Sequence, residues 1–136
     1  MIHYLGFNGM PYSLAGGTPD CYVKDGSERI ATFETLSLRD NGNIFHIDHF
    51  ALDSSRKKQR LGEVVLRGFA RLVAQQLPDV NQITFELYRC LPGTDLEKLA
   101  SARSDLLERV GAHDVTKVRP NNHHICVTGK WARVRW

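Results

Sequence analysis

The feature that most constrains the fold is a change of hydrophobic period on either side of one short basic stretch. Before it the chain reads as strands: Arg29 to Arg39 is rich in Ile, Thr, Phe and Leu, Asn41-Gly42 is a strong hairpin turn, and Ile44 to Leu52 follows. After it, Leu61, Val65, Phe69, Leu72 or Val73 and Leu77 recur at three- and four-residue steps until Pro78 ends the run. The chain therefore passes from a strand, through Asp53 to Gly62, into an amphipathic helix over residues 62–77.

The flanking segments extend this pattern. Cys21 to Val23 followed by an Asp25-Gly26 turn supplies an earlier antiparallel partner, so a meander of about three strands opens the domain. Residues Gly6 to Gly26 form its one loose, Gly- and Pro-containing segment. Downstream, Gln82 to Tyr88 alternates Ile83, Phe85 and Leu87 against polar neighbours, which predicts a strand. Leu96, Leu99, Ala102, Leu106 and Val110 mark a second helix that Gly111 closes as a C-terminal cap. Two strands near Asp114 to Val118 and His124 to Trp131, turned by Pro120-Asn121-Asn122, complete the order β-β-β-α-β-α-β-β. This is an α/β (α+β) pattern, a mixed sheet flanked by helices in a single domain over residues 1–136.

Composition narrows the function classes. A chain of 136 residues with 42% apolar and 24% charged side chains buries a real core without metal or disulfide. A net charge of +3 does not by itself argue for nucleic acid. Cys21, Cys90 and Cys126 are odd in number, widely spaced and free of a C-x-x-C pattern, as expected for free thiols in a reducing cytoplasm. Met1 to Phe7 carries His3 rather than a basic leader, and no apolar run approaches the ~18 residues of a membrane span. The expectation is a cytoplasmic chain with no membrane anchor.

Charge is concentrated instead: four of the five residues from Arg56 to Arg60 are basic, and they lead into a helix N-terminus. Free backbone N–H groups, the positive end of the helix dipole and the Lys and Arg side chains together suit a phosphate or pyrophosphate. Gly62 would let the backbone approach such a ligand closely. A solvated basic turn is the plainer reading of the same residues.

Phe50-Ala51-Leu52, four residues, and then Lys57-Lys58-Gln59-Arg60-Leu61-Gly62-Glu63 resembles the acetyl-CoA-binding motif of the GNAT superfamily of N-acetyltransferases. In that motif an apolar strand end precedes R/Q-x-x-G-x-G/A at a helix start. Lys57 takes the R/Q position, Gly62 the final Gly/Ala, and Arg60 stands where the first glycine is usual; the register Gln59-x-x-Gly62-x-Val64 is the alternative. Ile83 to Leu87 is similar to the family's next strand, and Asp105 to Ala112 is similar to its "LYEKLGF" segment.

The resemblance implies an acyl-CoA N-acyltransferase fold with a mostly antiparallel sheet. It implies acetyl-CoA as co-substrate, with pantetheine against Phe50, Ala51 and Leu52 and pyrophosphate on Lys57, Lys58, Gln59, Arg60, Leu61, Gly62 and Glu63. It also implies an amine acceptor. Many members use the Tyr of "LY" as acid; here that position is Leu107, and Tyr88 is the candidate substitute. His46 and Asp48 share one face of their strand while His49 points away, so His46 is the candidate base, held or polarised by Asp48. The family usually places one or two helices between its first two strands; here only residues 6–26 stand there, which implies a shallow acceptor side suited to a protein side chain or terminus.

Two other classes compete. A catalytically degenerate GNAT-like module that binds acyl-CoA or a partner is favoured by Leu107 and Arg60. Nucleic-acid binding is motivated by Arg56 to Arg60 and by Lys130-Trp131-Ala132-Arg133-Val134-Arg135-Trp136, where cations interleave with aromatics. The same tail also reads as an alternating edge strand or as an arm exchanged in a homodimer. His123-His124 lacks a third ligand at a recognisable spacing and reads as a solvated turn rather than a metal site.

Overall fold

The computed structural model describes residues 1–53 and 60–136. Among them seven strands form one sheet: β1 (Ile2–Leu5), β2 (Cys21–Asp25), β3 (Glu28–Arg39), β4 (Ile44–Leu52), β5 (Gln82–Leu87), β6 (His113–Asn121) and β7 (His124–Ala132). Two helices cover it, α1 (Leu61–Gln76) between β4 and β5 and α2 (Leu96–Val110) between β5 and β6. The spatial order is β1-β2-β3-β4-β5-β7-β6, and of the neighbouring pairs only β4 and β5 run parallel.

Register shows which face the helices take. Phe45 and Ile47 of β4 lie beside Ile83 and Phe85 of β5, which pair with Trp131 and Gly129 of β7, so these residues share one side. Phe69 of α1 packs edge-on against Phe45 and stacks on Phe33, with centroids 4.0 Å apart. On the same side Leu107 of α2 lies over Gly129, and the Trp131 indole donates to the Val110 carbonyl at 3.0 Å. Both helices therefore lie on one face of the central strands, and among the described residues no helix lies over the face carrying His46, Thr84 and Glu86.

The helix ends follow local chemistry. Asp95 caps α2 by accepting from the Lys98 N–H at 3.1 Å, and Gly111 (φ 96°) closes it in the left-handed conformation. Beyond α1, the Arg133 guanidinium donates to the carbonyls of Ala74, Pro78 and Val80, tying the last turn and the loop after it to the C-terminus.

Several sequence expectations need correction. A fourth strand, β1, opens the meander; four residues followed by a glycine are too short to show period-2 alternation. The segment after it is packed rather than loose: Tyr12 and Leu14 are buried, and Gln76 of α1 bonds the backbone of both. The last turn is Asn122-His123, because β6 runs on through Pro120 at an exposed edge, where a missing N–H breaks no ladder. The tail beyond Ala132 is neither an edge strand nor an extended arm: Arg133–Arg135 is a 3-10 turn, and Trp136 folds back to donate to the Trp131 carbonyl at 3.0 Å. Trp131 is wholly buried and Arg133 lies over the Trp136 ring, so these aromatics are already partnered within the fold.

Gly68, in mid-helix, is required by packing. A Cβ there would overlap the Tyr4 ring, whose hydroxyl is fixed on the Val65 carbonyl at 2.8 Å. Gly68→Ala is expected to destabilise the protein by about 1–3 kcal/mol, despite the better helix propensity of Ala. Adding Tyr4→Phe should recover part of that loss, as thermal unfolding of the single and double variants will measure.

Candidate functional site

β4 and β5 pair only from Ile44–Gln82 to Ile47–Phe85. Past that point β4 runs on to Leu52 against β3, while β5 runs on to Leu87 against β7, so the two strands part and leave a slot between them. Phe50 turns its ring into the core and stacks on Phe33 at 4.7 Å, whereas Ala51 and Leu52 stay half-buried. The β4 backbone on this side has no neighbouring strand, a free edge on which an extended ligand with amide groups finds partners.

α1 starts at the end of this slot. Arg60 is its N-cap, in the left-handed conformation (φ 51°, ψ 25°), and its side chain makes no capping hydrogen bond. Lys57, Lys58 and Gln59 lie outside the described residues. Leu61 and Gly62 are buried. A Cβ at Gly62 would come within 3.1 Å of Leu52 and 3.2 Å of Leu106, so any larger residue here requires those side chains to shift, whatever the backbone offers a ligand. The Glu63 carboxylate pairs with Arg67 at 3.4 Å and Arg109 at 4.0 Å.

On the uncovered face the strands gather a compact polar cluster. His46 is 1% exposed. Its Nδ1 lies 2.5 Å from the Thr84 hydroxyl, its Nε2 lies 2.8 Å from Asp48 Oδ1, and Glu86 Oε1 stands 3.6 Å from the same nitrogen. The two-residue period of β4 brings Asp48 beside His46, and the parallel register sets Thr84 directly opposite it. Arg39 pairs with Glu86 at 3.6 Å, and Lys130 with Asp114 at 3.8 Å. Arg39, His46, Thr84, Glu86, Asp114 and Lys130 line an open cavity of about 270 Å³, with Asp48 outside its lining.

The imidazole is held at both nitrogens, and the two carboxylates that reach its Nε2 are more exposed than the ring, so an ammonium group in the cavity meets negative charge first and the base behind it. His46, Asp48 and Glu86 also offer three ligand atoms within 4.8 Å of one another, a spacing that a cation would suit. Glu86 and Thr84 escaped sequence reasoning as site residues, although the alternation Thr84, Glu86 against Ile83, Phe85, Leu87 places both on the uncovered face. What the sequence lacked was the β4–β5 register.

The remaining candidates lie apart from that cluster. Tyr88 follows β5 at the slot, is 37% exposed, and sets its ring edge-on to His124 at 6.1 Å. Leu107, where the resemblance expects an acid, is wholly buried against Gly129, a core position. His49 sits on the parted half of β4, with Nε2 3.6 Å from Glu34. Its buried Nδ1 has no hydrogen-bond partner among the described residues. Burial lowers its pKa below the usual 6.5, and Arg89 and Arg103 act in the same direction against Glu34 and Asp20.

A histidine kept neutral by the fold disfavours folding once the unfolded chain binds its proton. Stability is therefore expected to fall as pH drops from about 6.5 through the lower folded value, and to rise with pH across the same interval. Denaturant titrations between pH 7.5 and 5 will measure this slope, which His49→Phe should reduce.

No family model matches the sequence, and no curated protein is found similar to it. Solved structures do resemble it. AAC(6')-Ib in complex with ribostamycin and coenzyme A aligns with a TM-score of 0.61 at 15% identity, over 86% of this chain and 65% of that one. An aminoglycoside 6'-N-acetyltransferase complexed with coenzyme A gives 0.61 at 16% identity, over 85% and 72%. The ribosomal-protein-S18-alanine N-acetyltransferase from Escherichia coli gives 0.61 at 13% identity, over 97% and 92%. The chain thus spans about two thirds of the length of the first of these and nearly all of the last. Strand order, the parting of β4 from β5, and these superpositions together identify the architecture as the acyl-CoA N-acyltransferase fold of the GNAT acetyltransferases.

Proposed function

We propose that this protein transfers an acetyl group from acetyl-CoA to an amine. The observation that carries the reading is the juxtaposition of a slot between parted parallel strands with a buried, carboxylate-flanked imidazole beside it. The fit of acetyl-CoA rests on the free β4 edge along Phe50, Ala51 and Leu52 and on the α1 N-terminus at Arg60, Leu61, Gly62 and Glu63. Lys57 and Lys58 supply cationic side chains and Gln59 an amide donor for the pyrophosphate. Glu63, its carboxylate engaged by Arg67 and Arg109, contributes its backbone N–H rather than its side chain. Structures of this fold are known with coenzyme A and with acetyl-CoA bound, which supports the same co-substrate here.

In the reaction an acceptor ammonium enters the cavity, attracted by Glu86, and loses a proton to the Thr84 hydroxyl, which passes its own to Nδ1 of His46 while the Nε2–H of the ring stays on Asp48. The freed amine attacks the thioester carbonyl carbon, a C–N bond forms, and the C–S bond breaks. The thiolate leaves with the bonding pair and takes a proton, which we assign to the Tyr88 hydroxyl, and the surplus proton of the new amide nitrogen restores the tyrosinate. Thr84 keeps the imidazole in its plane by holding Nδ1. The uncovered face admits a bulky acceptor, and a protein side chain or terminus is the class it suits. Among the described residues no helix is long and apolar enough to cross a membrane, and the three cysteines are free, which suits a reducing compartment such as the cytoplasm.

A second reading is a module that binds acyl-CoA or a partner without turnover, and the burial of Leu107 at the expected acid position favours it. His46→Ala separates the two. The enzyme should lose about 10²–10⁴-fold in kcat while its acetyl-CoA affinity stays unchanged, whereas a binding module has no turnover to lose.

Cofactor binding is tested apart from acceptor identity. Calorimetric titration with acetyl-CoA should give micromolar binding by the unaltered chain and none by the Lys57→Ala, Arg60→Ala double variant. Absence of binding by the unaltered chain would leave the fold without this activity.

A further inference from the structure

We propose that Nε2 of His46, one carboxylate oxygen of Asp48 and one of Glu86 bind a single Zn²⁺ ion, and that the bound ion blocks the proton relay through Thr84. Binding of the ion stands by itself, whereas its effect on turnover rests on the acetyl-transfer reading above.

The three ligand atoms lie within 4.8 Å of one another. Oδ1 of Asp48 is 2.8 Å from Nε2, and Oε1 of Glu86 is 3.6 Å from the same nitrogen. A tetrahedral ion with bonds of about 2.1 Å sets its ligands about 3.4 Å apart, between those two distances, so small side-chain rotations close the site. The two carboxylates come from different strands and meet at one ring nitrogen. In the neutral ring that nitrogen carries one hydrogen at most, and Asp48 takes it, which leaves Glu86 facing Nε2 with no proton to share. A cation in place of the hydrogen satisfies all three groups at once.

The far side of the ring supplies an independent observation. Metal-bound imidazoles almost always donate their other N–H to an oxygen, which fixes tautomer and ring plane. Nδ1 of His46 lies 2.5 Å from the Thr84 hydroxyl, an oxygen able to accept that bond. Burial of the ring does not bar entry, because the groups at Nε2 are the co-ligands themselves, with side chains 22% and 47% exposed. His46 and Glu86 also line the open cavity, which leaves room for water as a fourth ligand. One imidazole with two carboxylates suits Zn²⁺, whereas Mg²⁺ prefers oxygen alone. Arg39, half-exposed and 3.6 Å from Glu86, is the cation that the ion displaces.

The effect on turnover follows from the tautomer. The relay needs Nδ1 to accept the proton of Thr84 while hydrogen stays on Nε2. With the ion on Nε2 that hydrogen moves to Nδ1, no proton being gained or lost, and the ring can no longer accept.

Calorimetry of the full chain with Zn²⁺ alone should give one micromolar site, and Mg²⁺ should give none. Glu86→Gln and Thr84→Val should each weaken Zn²⁺ binding by roughly 10–100-fold, while a His123→Ala, His124→Ala double variant binds as the unaltered chain does. In the unaltered chain the ¹⁵N resonances of the His46 ring should show hydrogen moving from Nε2 to Nδ1 on adding Zn²⁺, a readout that survives if a variant fails to fold. Zn²⁺ should also abolish acetyl transfer, and EDTA should restore it, with acetyl-CoA affinity unchanged. Absence of a site, a site lost with His123 and His124, equal affinity for Mg²⁺, or His46 resonances unmoved by Zn²⁺ would overturn the assignment. Zn²⁺ bound at His46 with undiminished turnover would overturn the blockade. A chain that binds Zn²⁺ there yet transfers no acetyl group in its absence would remove the acetyl-transfer reading, and the blockade with it, and leave the ion site standing.

Discussion

Everything in this fold that bears on function depends on how briefly β4 and β5 stay together. A parallel pair in a sheet of this size commonly runs its whole length, but here the ladder ends at Ile47–Phe85 and each strand then follows its antiparallel neighbour, β3 or β7. The right-handed twist of strands tends to separate two that are anchored to different partners. The opening is held by core packing: Phe50 stacks on Phe33, which stacks on Phe69, while Phe85 packs toward Trp131. Closing the slot would require pulling one of these aromatic groups out of the interior. The core therefore keeps a backbone edge available, and α1 begins where that edge ends.

The second constraint is the single-sided placement of the helices. With α1 and α2 both on one face, the other face of β4, β5 and β7 can be polar without interrupting the core. That is why a histidine as buried as His46 is tolerated: it is enclosed by neighbouring side chains rather than by a hydrophobic layer, and each ring nitrogen has a partner. His49 marks the limit of the arrangement. It belongs to the same strand but lies where the sheet opens, and one nitrogen is left over.

Much of the fold was legible in the sequence because period and punctuation agreed. Asn41-Gly42 and Gly111 adopt positive φ where a hairpin and a helix cap were expected, and the stripe Leu61, Val65, Phe69, Val73 is the buried side of α1. β1 and the 3-10 turn at Arg133–Arg135 were not legible. The first is too short to show alternation, and the second is fixed by carbonyls 53 to 59 residues away. The site was half legible. His46 with Asp48 follows from strand period alone, but the participation of Thr84 and Glu86 depends on inter-strand register, which a single chain's pattern does not encode. Gly62 carries a different lesson: a residue assigned to ligand approach is also the one that Leu52 and Leu106 accommodate without shifting.

The strand order also has a kinetic side. β1 to β4 pair in the order in which they occur, through local contacts that form early at low entropic cost. β6 has no partner but β7, and β7 inserts between β6 and β5, so neither can join the sheet until the last residues are available. The final hairpin must dock as a unit, bringing Trp131 into its pocket and Arg133 onto the end of α1 in the same event. While the chain is being synthesised from its N-terminus, the β5 edge that carries Thr84 and Glu86 stands open, and an unpaired, half-apolar edge is the place where such an intermediate is most exposed to wrong pairing.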